Sequence, residues 1–282
     1  MGIGAAARGA LELTRPVNAV VAGMLTFIGS FVAVPVASLS AVPVAAAVGA
    51  TVLATGAGNA INDYFDRDID RINDPDRPIP RGAISPRGAL AFSVALFLVA
   101  VVVALALLPI LAIAIAVVNL AALVTYTELF KGKPGVGNAL VAYLGGSTFL
   151  FGGAAVGSVG PTVVLFLLAA LSTLAREIIK DVEDVAGDRE EGLNTLPIAI
   201  GERRALQLAA GLLLAAALAS PVPYLTGTFG VAYLAVVGPA DLVMLAAGYR
   251  SFECPSVGQS QLKYGMFLAA AAFVAGRAAT VV

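Results

Sequence analysis

Apolar positions run through this chain in four long blocks that no charged side chain interrupts. Residues 16–62, 88–127, 134–175 and 205–240 hold no Asp, Glu, Lys or Arg, leaving uncharged runs of 47, 40, 42 and 36 residues. One membrane-spanning helix takes about 20 residues, so each block has the length of two spans and a turn. Helix breakers stand near the block centres, from Pro35 to Pro43, at Pro109, from Gly157 to Pro161 and from Ser220 to Gly230. A final apolar run over roughly 263–282 is long enough for one more span. The pattern predicts an all-α integral membrane protein with nine transmembrane helices, a single polytopic domain over residues 1–282.

Because each block leads out and back, the charged segments are expected on one face of the membrane. That face receives Arg8 and Arg15, the 63–87 segment, Lys131 and Lys133, the 176–204 segment, and Arg250 and Lys263. Together these hold 16 of the 17 basic residues, with Arg277 left inside the last span. A basic face is the cytoplasmic one. The N-terminus and the charged loops are therefore expected in the cytoplasm, and the chain is expected as a multi-pass protein of the cell membrane. A soluble fold could not hide four such blocks in 282 residues. The first apolar run, after Arg8 and Glu12, is too long for a cleaved signal peptide.

Composition mainly removes chemistry. The chain is 59% hydrophobic and 12% charged, where soluble domains carry about 25% charge. It contains no His, which excludes imidazole bases, His-ligated zinc or haem, and Ser-His-Asp or Cys-His catalysis. The one thiol, Cys254, allows neither a disulfide within the chain nor a Cys metal cluster. A net charge of −1 gives no reason to expect a nucleic-acid partner, and no obligatory protein partner is evident.

The acids are the informative polar residues, because 12 of the 18 fall in two segments. In the first, Asn62, Asp66 and Asp70 recur every four residues, on one helix face with about 6 Å of rise per step. Asp63 continues that surface. In the second, Asp181, Asp184 and Asp188 stand at i, i+3 and i+7, again one face. Each set ends an apolar span on the same side of the membrane, after the second and sixth predicted helices. Two facing sets of hard oxygen donors suit Mg²⁺, which binds through a few carboxylates plus substrate phosphates, and the lack of His disfavours a softer metal. Asp68, Asp74, Asp76, Glu190 and Glu191 read instead as solvated loop residues, with Arg67, Arg71, Lys180 and Arg189 as local counter-charges.

At these residues the chain resembles the UbiA superfamily of intramembrane prenyltransferases. Its NDxxDxxxD signature is matched by Asn62, Asp63, Asp66 and Asp70, and its DxxxD signature by Asp184 and Asp188, with Asp181 adding a DxxD. The stretch from Asn73 to Gly82 is similar to the family's N-x-P-x-R-P-[IL]-P-x-G segment. The resemblance implies a ring of helices around a lipid-open cavity, capped by cytoplasmic loops. It also implies two Mg²⁺ ions on Asn62, Asp63, Asp66, Asp70, Asp181, Asp184 and Asp188, gripping a prenyl diphosphate. Asp66, Asp70, Asp184 and Asp188 are the implied catalytic acids. Arg15, Asn18, Arg67, Arg77, Arg81, Lys131 and Lys180 are the candidates for substrate contacts. Positive-inside topology alone is the competing reading for the basic ones, and the preferred one for Lys133, Arg203 and Arg204.

The second motif, running from Arg176 to Asp188 and on through Asn194 to Pro197, narrows the expected acceptor. With Gly135-Val136-Gly137-Asn138, Tyr143 to Gly146, and Gly152-Gly153, it is similar to the family members that use a phosphorylated lipid acceptor. They transfer a geranylgeranyl group from geranylgeranyl diphosphate to the secondary hydroxyl of geranylgeranylglyceryl phosphate, forming the second ether bond of archaeal membrane lipid. An aromatic acceptor, hydroxybenzoate- or naphthoate-like, is the alternative. A transporter is a distant one, since it would place ionisable groups near the midplane of broken helices and only Asp241 lies well inside a predicted span. Arg81 and Asp241 stay open: the first serves either a phosphate or topology, the second either a substrate or a position near the cytoplasmic end of its helix.

Overall fold

Helices end where the uncharged blocks are broken. In the computed structural model, which describes residues 3–125, 130 and 133–280, α1 (Ile3–Leu13) leads into α2 (Pro16–Ala33). A 3₁₀ turn at Val36–Ser38 then separates α2 from α3 (Ala41–Phe65). A short α4 (Arg67–Asn73) follows, and a loop leads to α5 (Pro86–Leu107) and α6 (Ile110–Thr125), which are parted at Pro109. Next come α7 (Val136–Ala155) and α8 (Gly160–Glu190), α9 (Leu196–Ile200), and α10 (Glu202–Ala219) with its short continuation α11 (Val222–Leu225). The order closes with α12 (Val231–Arg250) and α13 (Pro255–Ala278). No strand occurs among the described residues.

Local chemistry sets these ends. Ser85 caps α5 by accepting from Gly88 N at 3.1 Å, with Pro86 following at the first helical position. Proline suits that position because the N–H it lacks would have no helical partner there. α8 and α13 likewise carry Pro in their first turn.

Among the described residues six segments are long and apolar enough to cross a membrane: α2, α3, α5, α8, α10 with α11, and α12. α6 is apolar but has 16 residues. α7 and α13 are diluted by glycine and polar residues, among them Asn138, Gln259, Gln261 and Lys263. Large apolar side chains such as Leu98, Val102, Ile110, Leu218 and Val231 stand on the outside. That exposure would be costly in water and is expected in hydrocarbon.

Among the described residues nine helices have 16 residues or more, and their packing partners form a closed cycle: α2, α3, α5, α6, α7, α8, α10, α12, α13 and back to α2. Where α2 crosses α7 the backbones touch. A Cβ at Gly29 would collide with the Phe149 carbonyl, and one at Gly152 with the Thr26 carbonyl. Ser30 Oγ donates to Gly152 O at 2.8 Å across the same crossing. Small residues make this approach possible in a bilayer, where dispersion and hydrogen bonds replace the hydrophobic drive between helices. At the far end, Arg277 in the last turn of α13 donates to Val34 O at 2.7 Å, satisfying a carbonyl that α2 leaves open. Inside the ring lies a cavity of about 1050 Å³.

Candidate active site

The first acidic segment sits where α3 ends against a small apolar cluster of Leu13, Ala60, Ile79 and Ala89. Ile79 is 5% exposed, so the 74–85 loop is pinned under α1 and carries Arg77 back to the acids. The continuous acidic helix expected over 62–70 is broken once: α3 stops at Phe65 and Asp66 is its cap, before α4 starts at Arg67. The four-residue register survives the break, since Asp66 N donates to Asn62 O and Asp70 N to Asp66 O, each at 2.8 Å. Asp63 and Asp70 are therefore turned inward and buried, Asp66 is half-buried, and Asp68 faces solvent.

Guanidinium groups hold the buried pair. Arg77 Nη1 donates to Asp70 at 2.8 Å and to Asp63 at 3.3 Å, and its Nε donates to Asp74 at 3.1 Å. Arg15 Nη2 donates to Asp63 at 2.6 Å. Arg15 is the one non-glycine with positive φ among the described residues, at 46°, a conformation that persists only when its surroundings enforce it. Asn59 Nδ2 donates to Thr14 O at 2.9 Å and fixes the residue before it. Burial pushes the Asp70 carboxyl above its ordinary value; Arg77 opposes this, and the nearby Asp63 and Asp66 charges add to it. Burial acts against the Arg77 charge too, but Asp63 and Asp70 outweigh it and hold that guanidinium above its ordinary value. Arg77 thus serves three carboxylates, of which Asp63 has Arg15 as a second partner while Asp70 has Arg77 alone.

The remaining basic candidates are placed differently. Arg67 lies over the Tyr64 ring at 4.8 Å, donates to Tyr64 O and stands 3.6 Å from Asp68. Arg81 pairs with Glu12 and donates to Asp76 O at 2.7 Å, so it ties the loop to α1. Lys180 is exposed, 4.0 Å from Asp184. Asn18 lines the central cavity. Lys131 lies outside the described residues.

The second acidic segment is the C-terminal part of α8, which continues to Glu190. Asp184 and Asp188, with Glu183, Gly187 and Glu191, line a separate hollow of about 360 Å³. Two partners here had no assigned role in the sequence reading: Asn138 Nδ2 donates to Asp181 at 2.8 Å, and Thr195 Oγ1 donates to Asp188 at 3.0 Å. Both belong to stretches that carried the family resemblance; Thr195 follows its acid by seven residues, whereas Asn138 is 43 residues from Asp181. Asn73 Nδ2 donates to Glu191 at 3.4 Å and links the two acidic segments. Asp241 proves to be mid-helix in α12, on the cavity wall, accepting from Ser220 Oγ at 2.5 Å.

Among the described residues no three acid or thiol side chains converge as a preformed metal cage. The donors still fit a hard divalent cation, because every side chain of both motifs offers oxygen and Mg²⁺ asks for only one or two carboxylates beside water and phosphate. Asp63 and Asp70 are held by Arg15 and Arg77, so a cation taken up there would share them with these guanidinium groups.

The sequence model of the UbiA prenyltransferase family matches residues 22–271. The chain belongs to this family. Among UbiA proteins it is 67% identical over 275 residues to digeranylgeranylglyceryl phosphate synthase of Natronomonas pharaonis, covering 97% of this chain and 98% of that one. A solved structure concerned with digeranylgeranylglyceryl phosphate synthase in membranes superposes with a TM-score of 0.82 at 35% identity, over 96% of this chain and 98% of its own. A UbiA homologue from Archaeoglobus fulgidus, bound to GPP and Mg²⁺, superposes with a TM-score of 0.73 at 20% identity, over 97% and 100% of the two chains. This UbiA protein therefore shares their helical fold.

Proposed function

We propose that this protein transfers a geranylgeranyl group from geranylgeranyl diphosphate to the secondary hydroxyl of geranylgeranylglyceryl phosphate. The observation that carries the reading is near-full-length identity of 67% to an enzyme of that name, with both acid motifs in place. The proposal includes nine membrane spans in one domain, with the N-terminus and both acidic segments at the cytoplasmic face as cap loops. The nine-helix cycle and the one-sided basic residues support it. Labelling of cysteines introduced at Ser38 and Pro161 from outside, and none at residues 75 or 192, tests that orientation.

In the reaction the bond between the first prenyl carbon and the diphosphate oxygen breaks, and an ether bond forms to the glyceryl oxygen as its proton leaves. Two Mg²⁺ ions, when bound by Asn62, Asp63, Asp66 and Asp70 and by Asp181, Asp184 and Asp188, would supply Lewis-acid neutralisation of the departing diphosphate. Asn138 and Thr195 fix the rotamers of Asp181 and Asp188, holding their free oxygens in place. Arg15 and Arg77, which neutralise Asp63 and Asp70 without ligand, are positioned to turn toward phosphate oxygens. The apolar cavity takes the prenyl chain and keeps water from the allylic cation. The test is a competition among geranylgeranylglyceryl phosphate, a hydroxybenzoate and a naphthoate for one prenyl donor, with products separated by mass. Preferential transfer to either aromatic acceptor overturns the assignment.

A further inference from the structure

Two cations inside the ring are used by neither acid motif. Arg176 on α8 and Lys263 on α13 both line the central cavity, Arg176 half-buried and Lys263 exposed. Ionised groups on the wall of a largely apolar intramembrane cavity mark function by default. α8 and α13 pack together, and across their seam Arg176 Nη2 donates to Gln259 Oε1 at 3.2 Å. Gln259 and Lys263 stand at i and i+4, on one face of α13, so the α13 residue bonded to Arg176 lies one turn from Lys263. Arg176 Nη1 donates to Glu177 at 2.7 Å, while its Nε is buried with no partner. Lys263 pairs with no carboxylate among the described residues. Asp241, on the same cavity wall, is bonded by Ser220 instead. Two acids, Glu177 and Asp241, share this wall with the two bases, so what it offers an anion is the Lys263 ammonium, paired with neither, and the open Nε–H of Arg176.

We propose that Arg176 and Lys263 form the subsite for the phosphate of the acceptor lipid, separate from the acid-lined mouth that takes the diphosphate. This rests on the reading of the reaction given above and extends it to the second substrate. A mouth collecting carboxylates repels a phosphate that brings no metal, so a phosphorylated acceptor needs cations of its own. A planar guanidinium fork beside a mobile ammonium suits a tetrahedral phosphomonoester with three terminal oxygens. The spacing also suits the reaction. Arg176 precedes Asp181 by five residues of α8, about 7.5 Å along the axis. A phosphate held there leaves a hydroxyl on the adjacent glyceryl carbon pointing toward the mouth. Met266 and Phe267, one turn beyond Lys263, give the acceptor chain an apolar wall.

Binding to the full chain in detergent, with EDTA present, tests the subsite without turnover. The probes are an alkylglyceryl phosphomonoester, inorganic phosphate and a phosphatidylglycerol. Lys263→Gln should weaken the phosphomonoester amphiphile about tenfold and Lys263→Arg should restore it, as for one charge-assisted hydrogen bond. The affinity for geranylgeranyl diphosphate with Mg²⁺ should hold within about threefold in both variants. Arg176→Gln should act like Lys263→Gln, and Lys263 alone decides the matter should that variant misfold. An unchanged phosphomonoester affinity, or an equal loss for the diphosphate, overturns the subsite. Equal competition by phosphatidylglycerol or inorganic phosphate overturns its assignment to the acceptor. Phosphomonoester binding that depends on Lys263 in a protein making no ether product would sink the reaction and leave the subsite standing.

Discussion

Arg15 Nη2 stands 2.6 Å from Asp63 Oδ1, joining the start of α2 to the end of α3. The contact is made from a left-handed backbone at Arg15, and Asp63 is 4% exposed. With Arg77 as the second partner of Asp63, the first motif is assembled around guanidinium groups.

Asp66→Asn and Asp184→Asn should each lower turnover by about 10²–10³, the cost of one lost contact to developing charge. Asp68→Asn should stay within about threefold, because Asp68 is exposed and its pairing with Arg71 is a surface ion pair. Rates of folded protein in detergent check this. Equal damage from Asp68→Asn would mean that the segment acts by bulk charge.

Arg77→Gln should lower the Tm of metal-free protein by a few degrees, since it leaves Asp70 buried without its guanidinium. Mg²⁺ should then raise the Tm of the variant more than that of the wild type, by taking the vacated charge. Thermal scans with and without Mg²⁺ decide it, and identical Mg²⁺ shifts would count against cation and guanidinium sharing these acids.

Gly152→Ala should destabilise the α2–α7 crossing by about 1–3 kcal/mol, because the added methyl meets the Thr26 backbone rather than a movable side chain. Gly211→Ala in α10 meets nothing within 4 Å and should stabilise by about 0.5–1 kcal/mol through helix propensity. Denaturation midpoints of the two variants should move in opposite directions.

Glu12 ties α1 to the 74–85 loop through Arg81, and that hydrogen bond lowers its carboxyl below the ordinary 4.5, with Arg8 adding to the effect. A lowered folded value means stability present above pH 4.5 and lost as the pH falls through the folded value. Glu12→Gln should therefore cost stability at pH 7, and the difference from wild type should shrink steadily below pH 4.5. A difference independent of pH would assign the effect to packing.

Much of this was legible in the chain because charge is so scarce. Pro35, Pro109, Gly157 and Ser220 mark breaks that the helices respect, since a bilayer leaves no other place to turn. The i, i+4 spacing of Asn62, Asp66 and Asp70 placed Asp70 inside and Asp68 outside, and the carbonyl register kept that true despite the cap at Asp66. Partners across helices were not legible. Asn138 and Asp181 are 43 residues apart, and nothing in either local pattern specifies the α7–α8 packing that joins them. By sequence Arg81 is open between a phosphate contact and a topogenic charge, and its pairing with Glu12 of α1 is not legible. Asp241 is open between a substrate role and a helix end, because the bounds of α12 depend on Ser220 and Gly230, where several breakers compete; it lies mid-helix.

The most direct measurement is the mass of the product formed by purified protein from geranylgeranyl diphosphate and geranylgeranylglyceryl phosphate, with and without Mg²⁺. The account predicts a phosphate carrying two geranylgeranyl ether chains, formed with Mg²⁺, absent with EDTA and absent from Asp66→Asn. Full product formation in EDTA, or no product on this acceptor from active, folded protein, would contradict it.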